Sequence, residues 1–555
     1  MKLRKTSALV LAALVSLPLA SATVLAETDD NDAVAQTETQ ALGYLGELSE
    51  SIILSGRLEE FKSTSRYDDI YANGETLAKR IKFWHNVALD TVALDHTPGA
   101  SASFEPGTPG FASPDQGGPT RTSRALAMVH IAMFDAVNAI QQQYHPYAGG
   151  DIVAAHGASA DAAVVFAAAR TLRRLYPAQR DRINAIFSAE KDRVKVFTTN
   201  AEFRAGRAVG VAAFKAVRDA RRGDRSRQAE PNFGEGGKVA NGGTTTFFGT
   251  GVNGGGANIG EWQPDPNVPE EAPDFELALG AFWGNVKPFF MSSGDQFRTP
   301  APPLPDDPEF YEYAEAFEEV ARIGGAEDNA NTPSVGTDRT RFIGNYWGYD
   351  GVPLIGVPPR VYNQIASQLA FEKYSDDALA FARVLAMVNI AMADVGIAAW
   401  DSKYFYNYWR PVTGVQAEDN NPMTVNDPTW DPVGVSVVNT AEAIRPTPPF
   451  PAYPSGHAAF GATTFEILRE AVGNVRFTFV SDEYDGVSVM PTESGPVTRP
   501  FVPRRFSSLD IAQESNGISR IYNGVHWDFD NTAGQAQGES IARFLMEDIT
   551  AFQPK

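Results

Sequence analysis

The chain has 555 residues, 43% of them hydrophobic and 21% charged, with a formal net charge of −21. It is too long for one ordinary core and too acidic to favour nucleic acid or an anionic membrane, so two soluble globular halves are expected. The absence of cysteine excludes disulfide scaffolds, thiol nucleophiles and thiolate-bound metals.

Basic MKLRK, apolar ALVLAALVSLPLASATVLA and acidic ETDDND predict that residues 1–26 are a secretory signal peptide. Ser and Pro18 interrupt the apolar run, which argues against an anchor. Removal would take away Lys2, Arg4 and Lys5 and no acid, turning −21 into −24. The expected destination is the periplasm or the medium, with no stable membrane anchor left behind. No later run reads as long and apolar enough to span a bilayer, and ASADAAVVFAAARTLRRLYP, ended by Pro177, reads as a core helix.

Apolar periodicity predicts helices over 76–92, 122–142, 179–196, 199–222, 308–323, 361–373, 378–400, 456–473 and 531–551. Strand-like alternation is scarce, so the fold class is all-α. RALAMVHIAMFD (124–135) and RVLAMVNIAMAD (383–394) agree at nine of twelve positions, with Asn389 standing where His130 does. That predicts two helical bundles in a duplicated four-helix-bundle architecture, over 27–235 and 308–555. Gly and Pro tracts make 236–307 a linker with long loops. The glycine run at 236–260 is no phosphate cradle, because no strand precedes it and no G-K-[ST] follows.

The chemistry gathers in the second half. PFPAYPSGHAAFGA (449–462) carries Ser455-Gly456-His457 where Pro-led turns meet a helix N-terminus: a hydroxyl, exposed N–H groups and an imidazole. Upstream, KYFYNYWRP sets Lys403 seven residues before Arg410, about two helical turns, so both cations can point one way. Downstream, SRIYNGVHWDFD holds Ser519, Arg520, His526 and Asp530, with Asn523-Gly524 supplying an irregular turn. Each piece alone has a plainer reading: a solvated charge, an N-cap, a core histidine. Together, three cations, a hydroxyl, a backbone N–H and two imidazoles can surround one tetrahedral oxyanion. His85, His96, His130, His145 and His156 lie in the first half at no metal-ligand spacing, and His130, on an apolar helix, reads as structural.

The set K-x6-R-P, P-S-G-H and S-R-x5-H-x3-D resembles the signature of the superfamily that unites type 2 acid phosphatases with vanadium-dependent haloperoxidases. YWGYDGVPLIGVPPRVYNQI (346–365), NYWRPVTGV (407–415), PPFPAYPSGHAAFG (448–461) and ISRIYNGVHWDFD (518–530) resemble the haloperoxidase branch, the fungal vanadium chloroperoxidases above all. The resemblance implies vanadate, V5+, on His526, its oxygens held by Lys403, Arg410, Ser455, the Gly456 N–H and Arg520. It implies acid–base work for His457, a peroxovanadate polarised by Lys403, and Asp530 orienting His526. It also implies an Asp350–Arg520 pair and an apolar wall of Trp400 and Phe450. The expected reaction consumes hydrogen peroxide and halide, bromide or chloride, and releases hypohalous acid; an organic acceptor and the oligomeric state stay open. The rival is a secreted acid phosphatase in which His526 forms a phosphohistidine and His457 protonates the leaving group.

Overall fold

The computed structural model describes residues 64–97, 115–306 apart from 268–276 and most of 229–257, and 311–555 apart from 327–328, 353, 436–445, 488 and 491–496. The expected leader at 1–26 and most of the glycine tract at 236–260 lie outside the described residues.

Helices dominate, as expected. In the first half α1 (Leu77–Asp95), α2 (Gly118–Gln141), α3 (Ala160–Leu175), α4 (Arg180–Lys195) and α5 (Asn200–Ala220) follow one another. Capping side chains start several of them: Thr76 accepts from the Lys79 N–H, Ser159 from Ala162, and Thr199 and Glu202 form a reciprocal box. In the second half come α6 (Tyr311–Ile323), α7 (Asp338–Tyr346), α8 (Pro359–Tyr374), α9 (Ala378–Tyr406), α10 (Pro411–Gln416) and α11 (Gly456–Val472). A hairpin of β1 (Phe477–Asp485) and β2 (Phe501–Phe506) precedes α12 (Leu509–Tyr522) and α13 (Asp528–Asp548).

α1, α2, α3 and α5 pack as one four-helix group, α8, α9, α11 and α13 as another, and α2 lies along α9 between them. One continuous core therefore runs through both halves. Contrary to the expectation that no such run follows the leader, α9 is long and apolar enough to cross a membrane. It is almost wholly buried at the centre of the molecule, which explains its composition as that of a core helix.

The two groups repeat each other in detail. His130 faces His85 at 2.9 Å (Nε2 to Nδ1), and Asn389 exchanges hydrogen bonds of 2.7 and 2.9 Å with Asn363. Both residues also reach back one turn, to Leu126 O and Leu385 O. Asp135 accepts the N–H groups of Tyr147, Ala148 and Gly149; Asp394 accepts those of Phe289, Phe290 and Met291. Burial pushes each of these carboxyls up to about 6, against the pull of the three N–H bonds.

Apolar spacing missed α7, α10, α12 and the hairpin. α12 shows why: its inward face carries Ser515, Asn516, Ser519 and Arg520, all buried, so burial there leaves no apolar stripe.

Candidate functional site

Three chain segments converge at the N-terminal ends of α11 and α13. Ser455 caps α11 and accepts the Ala458 N–H at 3.4 Å, while its own N–H donates to Asp530 O at 2.8 Å. The two helices approach so closely that a Cβ at Gly534 would meet Ser455 O at 2.5 Å. Gly456 opens α11 against the ring of Trp400.

Lys403 and Arg410 meet at this point by a route the sequence did not suggest. α9 stops at Tyr406, Asn407 adopts φ +50°, and Arg410 is an extended residue ahead of Pro411. The helix therefore does not run on to Arg410; a left-handed cap turns the chain back instead. Lys403 is fully buried and its ammonium donates to the carbonyls of Pro451, Ala452 and Pro454 at 2.9, 2.7 and 2.6 Å. Arg410 Nε donates to Phe450 O, and its Nη1 donates to Val525 O and lies 3.2 Å from His526 Nε2.

His526 sits between α12 and α13, after the Asn523-Gly524 turn, where Gly524 has φ +70°. Asp530 Oδ2 accepts from its Nδ1 at 2.7 Å. That bond keeps the proton on Nδ1 and leaves Nε2 with a lone pair directed at the cations. Arg520 Nη2 reaches both oxygens of Asp350, at 3.1 and 3.2 Å. His457 Nε2 donates to Gly348 O at 2.8 Å and stands 3.8 Å from Asp350. The rings of Trp400 and Phe450 meet tilted by 53° at 4.9 Å between centroids, and the Phe450 ring lies 5.1 Å from Lys403 Nζ and 5.0 Å from the Arg410 guanidinium carbon.

Lys403, Arg410, Ser455, Gly456, His457, Arg520, His526 and Asp530 lie together in this one cluster with Asp350, Trp400 and Phe450, whereas Ser519 Oγ donates to Asn516 O. Sequence reasoning missed the cluster's supports. Tyr362 and Asn516 both donate to His457 O, and Leu279 O accepts from Trp400 Nε1 and the Tyr404 hydroxyl. Nothing local marks them, because each acts across more than fifty residues.

The electrostatics ask for an anion. Burial, then Arg410, holds His526 and Lys403 well below their ordinary ranges; burial, then Arg520, does the same for His457. Arg410 Nη2 and Arg520 Nε and Nη1 are buried without a hydrogen-bond partner. Orphaned guanidinium donors are costly, and an oxyanion accepting from them would satisfy all three. The donor set thus fits vanadate: one imidazole lone pair surrounded by buried cations and helix N–H groups.

Comparison with known proteins agrees. Residues 383–553 match the model of the VCPO second helical-bundle domain. The chain is 29% identical over 518 residues to the vanadium chloroperoxidase of Curvularia inaequalis, covering 82% of this chain and 79% of that one. In fold it is similar to the first bacterial vanadium-dependent iodoperoxidase (TM-score 0.62, 21% identity, 86% and 98% of the two chains). It is also similar to a bacterial vanadium-dependent chloroperoxidase in its holo form (TM-score 0.55, 16% identity, 79% and 93%). With the three motifs complete and gathered in one buried cationic cluster, the chain is similar to the vanadium-dependent haloperoxidases in its second-bundle domain, its sequence and its fold.

Proposed function

We propose that the protein is an exported enzyme that oxidises halide, bromide and also chloride, with hydrogen peroxide to hypohalous acid. The observation that carries this is the pairing of orphaned, buried guanidinium donors with an imidazole whose Nε2 lone pair Asp530 fixes. Vanadate bound on His526 supplies a Lewis-acid centre that activates peroxide toward halide. Arg410 and Arg520 hold the oxyanion by charge-assisted hydrogen bonds, with the Ser455 hydroxyl and the α11 N–H groups completing the cradle. Lys403 holds the Pro451–Pro454 turn through its three carbonyl bonds and adds positive charge beside the oxyanion. His457, with its proton on Nε2, takes and returns the reaction's protons at Nδ1. Trp400 and Phe450 keep water from the side on which halide approaches, and two aromatic rings there favour chloride as well as bromide.

The test is hydrogen peroxide-dependent halogenation of a β-diketone, first with bromide and then with chloride, on metal-free protein given orthovanadate. Activity should require vanadate and vanish in His526→Ala. Hydrolysis of p-nitrophenyl phosphate with no halogenation would instead identify an acid phosphatase.

A further inference from the structure

The peptide that joins Gly348 to Tyr349 is held from both ends. Its carbonyl accepts from His457 Nε2 at 2.8 Å, and its N–H donates to Glu483 Oε1 at 2.9 Å. Glu483 belongs to β1, is fully buried, and has Arg499 Nη2 3.6 Å from its other oxygen. We propose that Glu483 is a positioning residue for His457, acting through this single peptide group as a carboxylate–peptide–imidazole relay. A peptide N–H bonded to a carboxylate polarises its own C=O, which makes that oxygen a stronger acceptor. The stronger acceptor keeps the His457 proton on Nε2 and holds the ring's plane, the service that Asp530 performs for His526 directly.

The surroundings are built for that peptide. Tyr349 has φ +50°, a conformation that non-glycine residues adopt only when neighbours enforce it. A Cβ on Gly348 would stand 2.8 Å from Glu483 Oε1, so only glycine lets the carboxylate so close. The hairpin grips the flanking residues as well: Ser481 Oγ donates to Tyr346 O, the Tyr346 hydroxyl donates to Phe479 O, and the Asp482 N–H donates to the Tyr349 hydroxyl. One residue further on, Asp350 holds Arg520, so the same loop supports both the proton carrier and an anion ligand. A carboxylate serving only to staple the hairpin could be placed against any N–H of the 346–350 segment. It is placed on the Gly348–Tyr349 peptide, whose carbonyl accepts from His457 Nε2 at 2.8 Å.

The test has two arms, and only the kinetic one rests on the haloperoxidase reading. In histidine-labelled, vanadate-free protein, long-range ¹⁵N–¹H spectra report the tautomer of each of the seven histidines, with His457 assigned by its loss in His457→Gln. Wild type should show His457 protonated on Nε2 alone. Glu483→Ala should give a tautomer mixture, and Glu483→Gln, which keeps a weaker neutral acceptor, should move the Nε2 proton signal while keeping the tautomer. In the vanadate-loaded enzyme, Glu483→Ala should lower kcat for bromide by about 10- to 100-fold, as loss of an outer partner does elsewhere. Bromide KM and vanadate affinity should stay within about 3-fold, and Glu483→Gln should recover most of kcat. An unchanged His457 spectrum in Glu483→Ala overturns the proposal. So does joint loss of stability, vanadate affinity and kcat with no recovery in Glu483→Gln. Should Glu483→Ala not fold, an unmoved signal in Glu483→Gln overturns it alone. Wild type that shows the expected spectra but no halogenation would sink the functional reading and leave the relay standing.

Discussion

Asp530 Oδ2 stands 2.7 Å from His526 Nδ1 and also accepts the Trp527 N–H at 3.1 Å, so one buried carboxylate oxygen fixes both the ring and the first turn of α13. Asp530→Ala should weaken vanadate binding by about 10- to 100-fold, because the ring loses its tautomer and its orientation together. Asp530→Asn, which retains an acceptor, should lose less. Titration of metal-free protein with orthovanadate, read by calorimetry, checks this; equal affinity in wild type and Asp530→Ala would refute the orienting role.

Arg520 gives Nη2 to Asp350 and keeps Nε and Nη1 buried without partners. A lysine cannot hold a carboxylate and present further planar donors at the same time. Arg520→Lys should therefore raise the vanadate Kd by about tenfold or more, roughly 1.4 kcal/mol. Orthophosphate binding to the metal-free protein should weaken in parallel, since the lost contact is with the oxyanion and not with vanadium.

The His85–His130 pair gives a signed pH prediction. Burial lowers His130 to about 4 and, with His130 and Lys82 beside it, holds His85 well below its ordinary range. Both stay neutral in the folded protein and take up protons near pH 6.5 when unfolded. The unfolded state thus binds more protons between about pH 4.5 and 6, and stability is lost as pH falls through that window. Replacing the pair by the arrangement of the second bundle, His85→Asn with His130→Asn, removes both groups. The slope of unfolding free energy against pH should then drop by about 2.7 kcal/mol per pH unit in that window. Denaturant unfolding of the two proteins at pH 4.5, 5.25 and 6 measures it, and every other titrating group cancels in the difference.

Gly538 sets how closely α13 can lie on α11. A Cβ there would meet Ala459 O at 2.4 Å and Thr463 N at 2.9 Å, and Thr463 Oγ1 already donates to Gly538 O. Gly538→Ala should cost about 1–3 kcal/mol through overpacking against backbone that cannot yield. The denaturation midpoint should fall with an unchanged m-value. Vanadate affinity should fall too, since the same contact aligns the Ser455 and Asp530 ends of the two helices.

The sequence by itself determined the helical class, the repeated helix and which side chains make up the candidate site. Those are local signals: apolar periodicity, nine matching positions between 124–135 and 383–394, and three short motifs whose residue types suit an oxyanion. Only the tertiary structure decided how the groups come together. Lys403 and Arg410 converge because Asn407 caps α9 in the left-handed region and turns the chain, where spacing alone suggested one continuous helix. α12 was hidden because it turns polar residues inward to the site, which erases the stripe that burial normally writes. Glu483 was hidden for a different reason. It lies 26 residues beyond His457, in a hairpin the helical pattern did not reveal, and acts on the ring through a peptide more than a hundred residues upstream. Spacing along the chain can place side chains that share a turn of helix. A hydrogen bond closed by packing across the fold leaves no period to read.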